Sequence, residues 1–450
     1  MARKTKSILM TEGVIWKQMI AFSIPLLIGN IFQQLYNTVD SVVVGNYIGS
    51  AALAAVGSSN SLINLIIGLF MGISTGSGVV ISQYYGAGDE EKMHWAVHTA
   101  MTLSMIGGTL LIFLGIVISP MVLRLMGTPE EVMPNSVLYL RIFFCGSLFN
   151  LVYNMGAGIL RAVGDSKRPL YFLCVASILN IVLDLLFVVV FHMGVAGVGY
   201  ATITAQGVSA AMVLAVLIKS REIYRLIPSK LRIDVRMMKR ILYYGIPTGI
   251  QQAIISMSNV IVQANINSFG ATAMAGCSSY MKVDGFVMLP LQSFNMASMT
   301  FTGQNIGAQK MDRVKKGIVQ GIVISFIYTV VVSVPLYIFS GSILKIFTSD
   351  QQIIYYGVRM MHICLPFYLM LSVHQVLSGA LRGAGKSIVT MMISVGNMCV
   401  LRIIYLFIFV ALIPEIETVM WCYPVTWVTT LACELLYMWK GGGIRPKQIS

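Results

Sequence analysis

The chain has 450 residues, of which 57% are hydrophobic and 11% are charged, and its mean hydropathy is +0.80. Soluble domains carry about a quarter charged residues, so this composition excludes a soluble globular protein. The net charge of +14 does not indicate nucleic-acid binding, because most Lys and Arg residues lie in alternate loops between apolar stretches.

Apolar stretches long enough to cross a hydrocarbon core of about 30 Å recur along the whole chain. They predict an all-α polytopic membrane protein with twelve transmembrane helices. The predicted spans cover residues 15–41, 53–80, 94–118, 134–159, 169–191, 195–218, 241–266, 275–300, 317–339, 354–378, 388–411 and 417–439.

The two halves of the chain repeat each other. Ile48–Ala54 matches Phe269–Ala275 at an offset of 221 residues. Six spans per half give both halves the same orientation, which predicts two six-helix lobes related by a parallel internal repeat. We expect an N-lobe at 1–218, a cytoplasmic linker at 219–240 and a C-lobe at 241–450.

Basic residues predict the orientation. The linker holds eight Lys or Arg, and the opposite side of the membrane carries only Arg124 and Lys345 in its loops. Loops rich in Lys and Arg stay in the cytoplasm. We therefore expect a multi-pass protein of the cytoplasmic membrane with both termini inside, and Met1–Lys6 as a cytoplasmic tail.

An acid lies deep in the first predicted span. A charge at a helix centre costs ~2.5–3.5 kcal/mol on insertion scales, so such acids face a bundle interior or an aqueous cavity. On a helix Tyr36, Asn37 and Asp40 share one face. Asn180 and Asp184 place an amide and an acid four residues apart on the fifth span, and we expect the two segments to form one site.

Other polar or helix-bending residues lie in the spans. Lys282 and Asp284 form either a locally compensated pair or, with Arg402, a polar site in the C-lobe. Pro25 removes a backbone donor from the first helix, and we expect it to act as a hinge because it shares that helix with Asp40.

The run Gln33-x-x-Tyr36-Asn37-x-x-Asp40 resembles the multidrug and toxic compound extrusion (MATE) family, in its bacterial DinF-like and NorM-like branch. So do the turns Leu-Arg161-Ala-x-Gly-Asp and Leu-Arg382-Gly-x-Gly. The resemblance covers nearly the whole chain. It implies a V-shaped pair of six-helix lobes that export organic cations and other amphiphiles in exchange for protons or sodium.

The resemblance also implies site residues. An ion-coupling site would consist of Asp40, Asn180, Asp184 and Thr202. The neighbouring substrate cavity would be lined by Gln34, Tyr36, Asn37 and Asn154. Another branch of the family carries an acid on the seventh helix, where this chain has Gln251, Gln252 and Ser256.

The residue chemistry leaves the coupling ion open. Two carboxylates in one low-dielectric site cannot both stay ionised cheaply, which favours proton binding. Alternatively, Asp40, Asp184, Asn180 and Thr202 offer only oxygen ligands, which suit a hard cation such as Na⁺.

These observations predict a monomeric antiporter that exports amphiphilic, often cationic, small molecules and uses H⁺ or Na⁺ as coupling ion. We expect no enzymatic activity, no cofactor, and contact with membrane lipids. The alternative is a lipid-linked oligosaccharide flippase of the same superfamily. That alternative would require basic residues facing a central cavity, whereas the first half offers acids.

Overall fold

The computed structural model describes residues 9–125, 127–442 and 444. These residues form helices, turns and irregular connections, and no β-strand occurs among them. The predicted cytoplasmic tail Met1–Lys6 and residues 445–450 of the predicted C-terminal tail lie outside the described residues.

Twelve long helices follow one another in the described residues. They are α1 (Ile15–Ile48), α2 (Ser50–Ala87), α3 (Glu90–Leu125), α4 (Met133–Cys145 continued by Ser147–Ala162), α5 (Lys167–Val190), α6 (Gly194–Lys219), α7 (Val235–Asn267), α8 (Ala271–Gly307), α9 (Met311–Ile338), α10 (Gln351–Gly383), α11 (Ser387–Leu412) and α12 (Ile416–Lys440).

Length and hydropathy identify nine membrane spans among the described residues, or ten if the bent pair of α4 is one span. The other two, α7 and α8, have 33 and 37 residues. At 1.5 Å per residue both exceed the hydrocarbon thickness. They are less apolar because polar side chains such as Gln251 and Asp284 lie along them. The predicted all-α fold with twelve membrane helices is confirmed.

One predicted span differs from its helix. We expected an unbroken helix over 134–159, but α4 bends by 48° between Cys145 and Ser147. A Cβ on Gly146 would come within 2.7 Å of Ile203 Cγ1 on α6. The bend therefore lies where the absence of a side chain lets the two helices approach closely.

The chain packs as two compact units. The first contains Ile24–Ile246, and the second contains Met10–Ser23 and the chain from Pro247 onward. Both divisions fall at a proline inside a helix, Pro25 in α1 and Pro247 in α7. The predicted lobe boundaries 1–218 and 241–450 differ from this division in the first turns of α1 and α7, and they stay a prediction.

Hydrogen bonds hold the start of α1 within the second unit. The Met10 amide donates to Gln304 Oε1 at 2.9 Å, and Asn305 Nδ2 donates to the Met10 carbonyl at 3.1 Å. Arg313 adds a bond to Gln18 Oε1 at 2.9 Å. These contacts attach the segment to the end of α8 and the start of α9.

The start of α7 is attached within the first unit in a similar way. Arg240 Nη1 donates to the Tyr84 hydroxyl at 2.6 Å, and Nη2 donates to Gln83 Oε1 at 3.1 Å. Gln83 and Gln304 are related by the internal repeat, so each half uses the same glutamine to hold the beginning of a lobe's first helix.

Close backbone contact joins α8 and α10 within the second unit. Asn295 Nδ2 donates to the Gln375 carbonyl at 2.7 Å, and Ser298 Oγ donates to the Val376 carbonyl at 2.8 Å. A Cβ on Gly379 would overlap the backbone carbonyl of Asn295. Small residues allow this approach, as is common between membrane helices.

Gly379→Ala should therefore destabilise the protein by about 1–3 kcal/mol, because the added methyl group meets backbone that cannot rotate away. Gly285→Ala on α8 is the matched control, since nothing lies within 4 Å of a Cβ there. The measurement is the free energy of unfolding in detergent. Equal effects of the two substitutions would contradict this account of the α8–α10 contact.

Candidate functional site

Two acids from different helices meet inside the first unit. Asp40 lies on α1, and Asn180 and Asp184 lie on α5, one turn apart. The Asn180 carboxamide is assigned the orientation in which its nitrogen faces the acids. Its Nδ2 then donates to Asp40 Oδ1 at 3.0 Å and to Asp184 Oδ2 at 3.1 Å. One amide thus bridges two carboxyl groups.

The site is closed to solvent. Asp40 is 8% exposed, and Asn180 and Asp184 are fully buried. Thr202 of α6 is also buried, and its Oγ1 accepts a hydrogen bond from the Tyr36 hydroxyl at 3.4 Å. The structure therefore brings the predicted ion-coupling residues together with Tyr36.

Both acids lie beside a π-helical turn. Val44–Ile48 follows Asp40 on α1, and Leu185–Val190 directly follows Asp184 on α5. Such turns are frequent at functional sites because they widen the helix and shift the side chains that follow. The hydrophobic pattern does not distinguish a π turn from an α turn, so the sequence could not indicate these two.

One apolar cluster contains residues from both of these π turns. Val44 and Val188 from the two π turns belong to it, together with Tyr139 of α4 and Val198 of α6. Tyr139 is 4% exposed. Sequence reasoning missed Tyr139. In sequence, a tyrosine that borders this site looks the same as a tyrosine that only packs against other helices.

The acids retain binding capacity. Among the described residues, Asp184 Oδ1 is buried without a hydrogen-bond partner. A buried carboxylate oxygen without a partner is costly unless it binds a proton or a cation. The site therefore suits either a shared proton or a small cation held by carboxylate oxygens, and it cannot remain doubly charged and empty at low cost.

The other residues predicted to line the substrate cavity are not hydrogen-bonded to the acids in the described chain. Gln34 and Asn37 are exposed on α1. Asn154 of α4 donates to the Asn150 carbonyl and to Asn150 Oδ1, at 2.9 and 3.0 Å. It borders a mostly apolar pocket that also contacts Phe70. The structure does not bring Asn154 to the acids.

The polar residues expected to form a C-lobe site, Lys282, Asp284 and Arg402, contact different partners. Asp284 accepts hydrogen bonds from the hydroxyls of Tyr280, at 3.3 Å, and Tyr368. Lys282 is exposed and lies over the Phe347 ring, with Nζ 5.5 Å from the centroid. Lys282 and Asp284 do not form a salt bridge with each other in the described chain.

A buried pair in the second unit was not anticipated from the sequence. His374 of α10 contacts Glu434 of α12, with 2.9 Å between Nδ1 and Oε2. Glu434 is fully buried and His374 is 5% exposed. The sequence does not indicate this pair, because its two residues are 60 positions apart and lie on different helices.

Twelve membrane helices in a parallel repeat, with a buried carboxylate pair in one half, are characteristic of secondary transporters. The sequence profile of the MatE family matches residues 25–186 and again residues 247–408. The chain belongs to the MatE family, which confirms the resemblance inferred from its motifs. The two matches also confirm the internal repeat.

Known proteins resemble most of the chain. It is 33% identical to the probable multidrug resistance protein YoeA of Bacillus subtilis, over 85% of this chain and 84% of the relative. It is 27% identical to the probable multidrug resistance protein NorM of Thermotoga maritima, over 84% and 82%. Its fold matches an outward-facing multidrug resistance MATE transporter of the MOP superfamily with a TM-score of 0.90 and 23% identity, over 97% and 98% of the two chains.

Asn180→Ala should lower the free energy of unfolding by about 1–3 kcal/mol, because it leaves two buried carboxyl groups without their shared donor. In an Asp40→Asn background the loss should be smaller, since the new amide can donate to Asp184. A double-mutant cycle of unfolding in detergent measures this coupling. Asn154→Ala is the control, because that amide bonds only within its own helix, and strictly additive effects of Asn180→Ala and Asp40→Asn would contradict the bridge.

Proposed function

We propose that this protein is a multidrug exporter that couples the exit of amphiphilic, often cationic, molecules to the entry of H⁺ or Na⁺. The observation that carries the proposal is the Asn180 amide bridging Asp40 and Asp184 in a buried site. Its relatives YoeA and NorM are probable multidrug resistance proteins, which supports export of drugs. We further propose that it acts as a monomer in the cytoplasmic membrane, with both termini in the cytoplasm.

Coupling follows from the charge of the site. With neither cation nor proton bound, the acids attract a cationic amphiphile to the N-lobe. When H⁺ or Na⁺ enters, the negative charge is neutralised and the attraction is lost, so the drug is released. A ligand shifts a conformational equilibrium only by its differential affinity for the two states. About 1.4 kcal/mol of differential binding changes the ratio tenfold, which one buried carboxylate can supply.

The experiment that tests the proposal is dye efflux from proteoliposomes in which pH and Na⁺ gradients are imposed separately. Asp40→Asn and Asp184→Asn should each abolish gradient-driven efflux, because the coupling proton or cation is held by both carboxyl groups together. Asp89→Asn is the matched control. Its carboxylate lies in a turn outside the buried site and pairs with Lys92 at 3.4 Å.

Neutralising a buried acid lowers its cost in the membrane, so both N-lobe variants should insert and express normally. Wild-type efflux by both variants in such samples would overturn the assigned site. A wild-type efflux rate that depends on neither the pH gradient nor the Na⁺ gradient would contradict ion coupling.

Pro25 is the proposed hinge. It lies inside α1, and the chain divides into its two packing units next to it. Its missing backbone donor leaves one helical hydrogen bond unmade, which lets the helix take two shapes of similar energy. The Asp40 site lies on the same helix, so its charge can favour one shape over the other.

Pro25→Ala should reduce turnover about tenfold or more while changing dye affinity less than twofold, because it removes the bend and not the site. Pro120→Ala, inside α3, is the control. Binding and transport are measured on the same purified sample. Normal transport would contradict the hinge, and a joint loss of binding and stability would assign Pro25 a packing role only.

A further inference from the structure

The fifth helix of the second half carries a basic residue. The two family matches extend into α5 and α11, the fifth long helices of their halves. Asn180 and Asp184 lie on α5, and Arg402 lies on α11. The repeated helix thus carries an acid in the first half and an arginine in the second.

The charges on the two helices differ in kind. A carboxyl pair can gain or lose a proton, whereas an arginine remains charged in proteins. The arginine on α11 therefore cannot alternate between charge states as the carboxyl pair can.

Neutral groups surround the Arg402 side chain. Its Nη1 donates to Asn259 Oδ1 of α7 at 2.9 Å, and its Nη2 donates to Thr426 Oγ1 of α12 at 3.1 Å. The guanidinium carbon lies 5.0 Å from the centroid of the Tyr423 ring. Arg402 is 2% exposed.

The guanidinium forms no salt bridge in the part of the chain that the structure describes. None of its ion pairs includes Arg402, and Arg402 Nε is buried there without a hydrogen-bond partner. A buried charge that lacks an opposite charge is strongly unfavourable. A π-helical turn, Gly396–Leu401, directly precedes Arg402, just as one directly follows Asp184.

Two of the residues around the guanidinium reach the surface of the second unit. Asn259 is exposed on α7, and Tyr423 is half-buried on α12. With its Oδ1 turned to Arg402, the Asn259 amide presents Nδ2 as a further donor. Guanidinium and amide donors side by side match the two oxygens of a carboxylate or phosphate group.

We propose that Arg402, Asn259 and Thr426 form an anion-binding subsite in the C-lobe. Its ligand is a carboxylate or phosphate group, carried by an exported zwitterionic amphiphile or present as a free small anion. The idea that the anionic group belongs to an exported substrate rests on the proposed function, whereas the capacity to bind a free small anion does not. The subsite would extend the substrate range from cations to molecules that carry both charges.

Two dyes that differ in one ester group test whether the subsite binds a carboxylate that belongs to an exported substrate. Rhodamine 110 carries a free carboxylate, and rhodamine 123 is its methyl ester. Arg402→Gln should raise the Kd of purified protein for rhodamine 110 about tenfold or more, as loss of a charged bidentate contact does. The Kd for rhodamine 123 should change less than about twofold. Arg402→Lys should fall between, because it keeps the charge and loses the planar fork.

Lys282→Gln is the matched control, because it removes a C-lobe cation that is exposed and lies on α8. It should leave both dissociation constants unchanged. If Arg402→Gln raises the Kd for both dyes equally, then Arg402 only holds α7, α11 and α12 together. That result would contradict binding of a substrate carboxylate at Arg402.

Small anions test the subsite without any dye. The midpoint of thermal unfolding is measured in dilute buffer with and without added sodium chloride, acetate or phosphate, each at the same ionic strength. We expect at least one of these anions to raise the midpoint of the wild type and of Lys282→Gln, and to raise that of Arg402→Gln much less.

The dye measurement and the anion measurement together distinguish a substrate group from a free anion as the ligand. A chloride, acetate or phosphate effect with no difference between the dyes would assign the subsite to a free anion, and the converse would assign it to the substrate. If the wild type binds neither dye, the proposed export function fails while the salt titration still decides the subsite. Identical anion responses in wild type and Arg402→Gln, together with no selective loss of rhodamine 110, would overturn the proposal.

Discussion

The structure depends on the cost of placing two carboxyl groups in an interior that excludes water. Asp40 and Asp184 come from different helices, and the Asn180 amide donates a hydrogen bond to each of them. One amide can satisfy part of each acid but cannot neutralise either. The remaining charge must be met by a proton or a cation, and this unmet requirement makes the N-lobe responsive to ions.

The repeat shows that the two halves share a framework and differ in charge. Gln83 and Gln304 perform the same task in each half, since both anchor the start of a first helix. The fifth helix of each half, by contrast, differs in charge, because α5 carries Asp184 and α11 carries Arg402. Packing constrains the framework, because its helices must fit together, whereas the polar residues inside each lobe are free to acquire different ligands.

Sequence reasoning predicted the parts of the molecule that depend on periodicity and on polar residues in apolar spans. It identified the twelve helices, and the spacing of Asn180 and Asp184 placed them with Asp40. It could not decide which neighbours of Asp40 face inward. Tyr36 lies four residues before it and contacts Thr202, whereas Asn37 lies three before it and is exposed. The bend at Gly146 and the π turns depend on packing between helices, which the pattern of one helix does not contain.

The central claim is that drug and coupling ion compete for the Asp40–Asp184 pair. It is tested most directly by mixing a cationic dye with purified protein in weakly buffered solution while released protons, or displaced ²²Na⁺, are counted. The account predicts that the wild type releases about one ion per dye bound and that the Asp40→Asn, Asp184→Asn double variant releases none. Dye binding by the wild type with release of neither ion would contradict it.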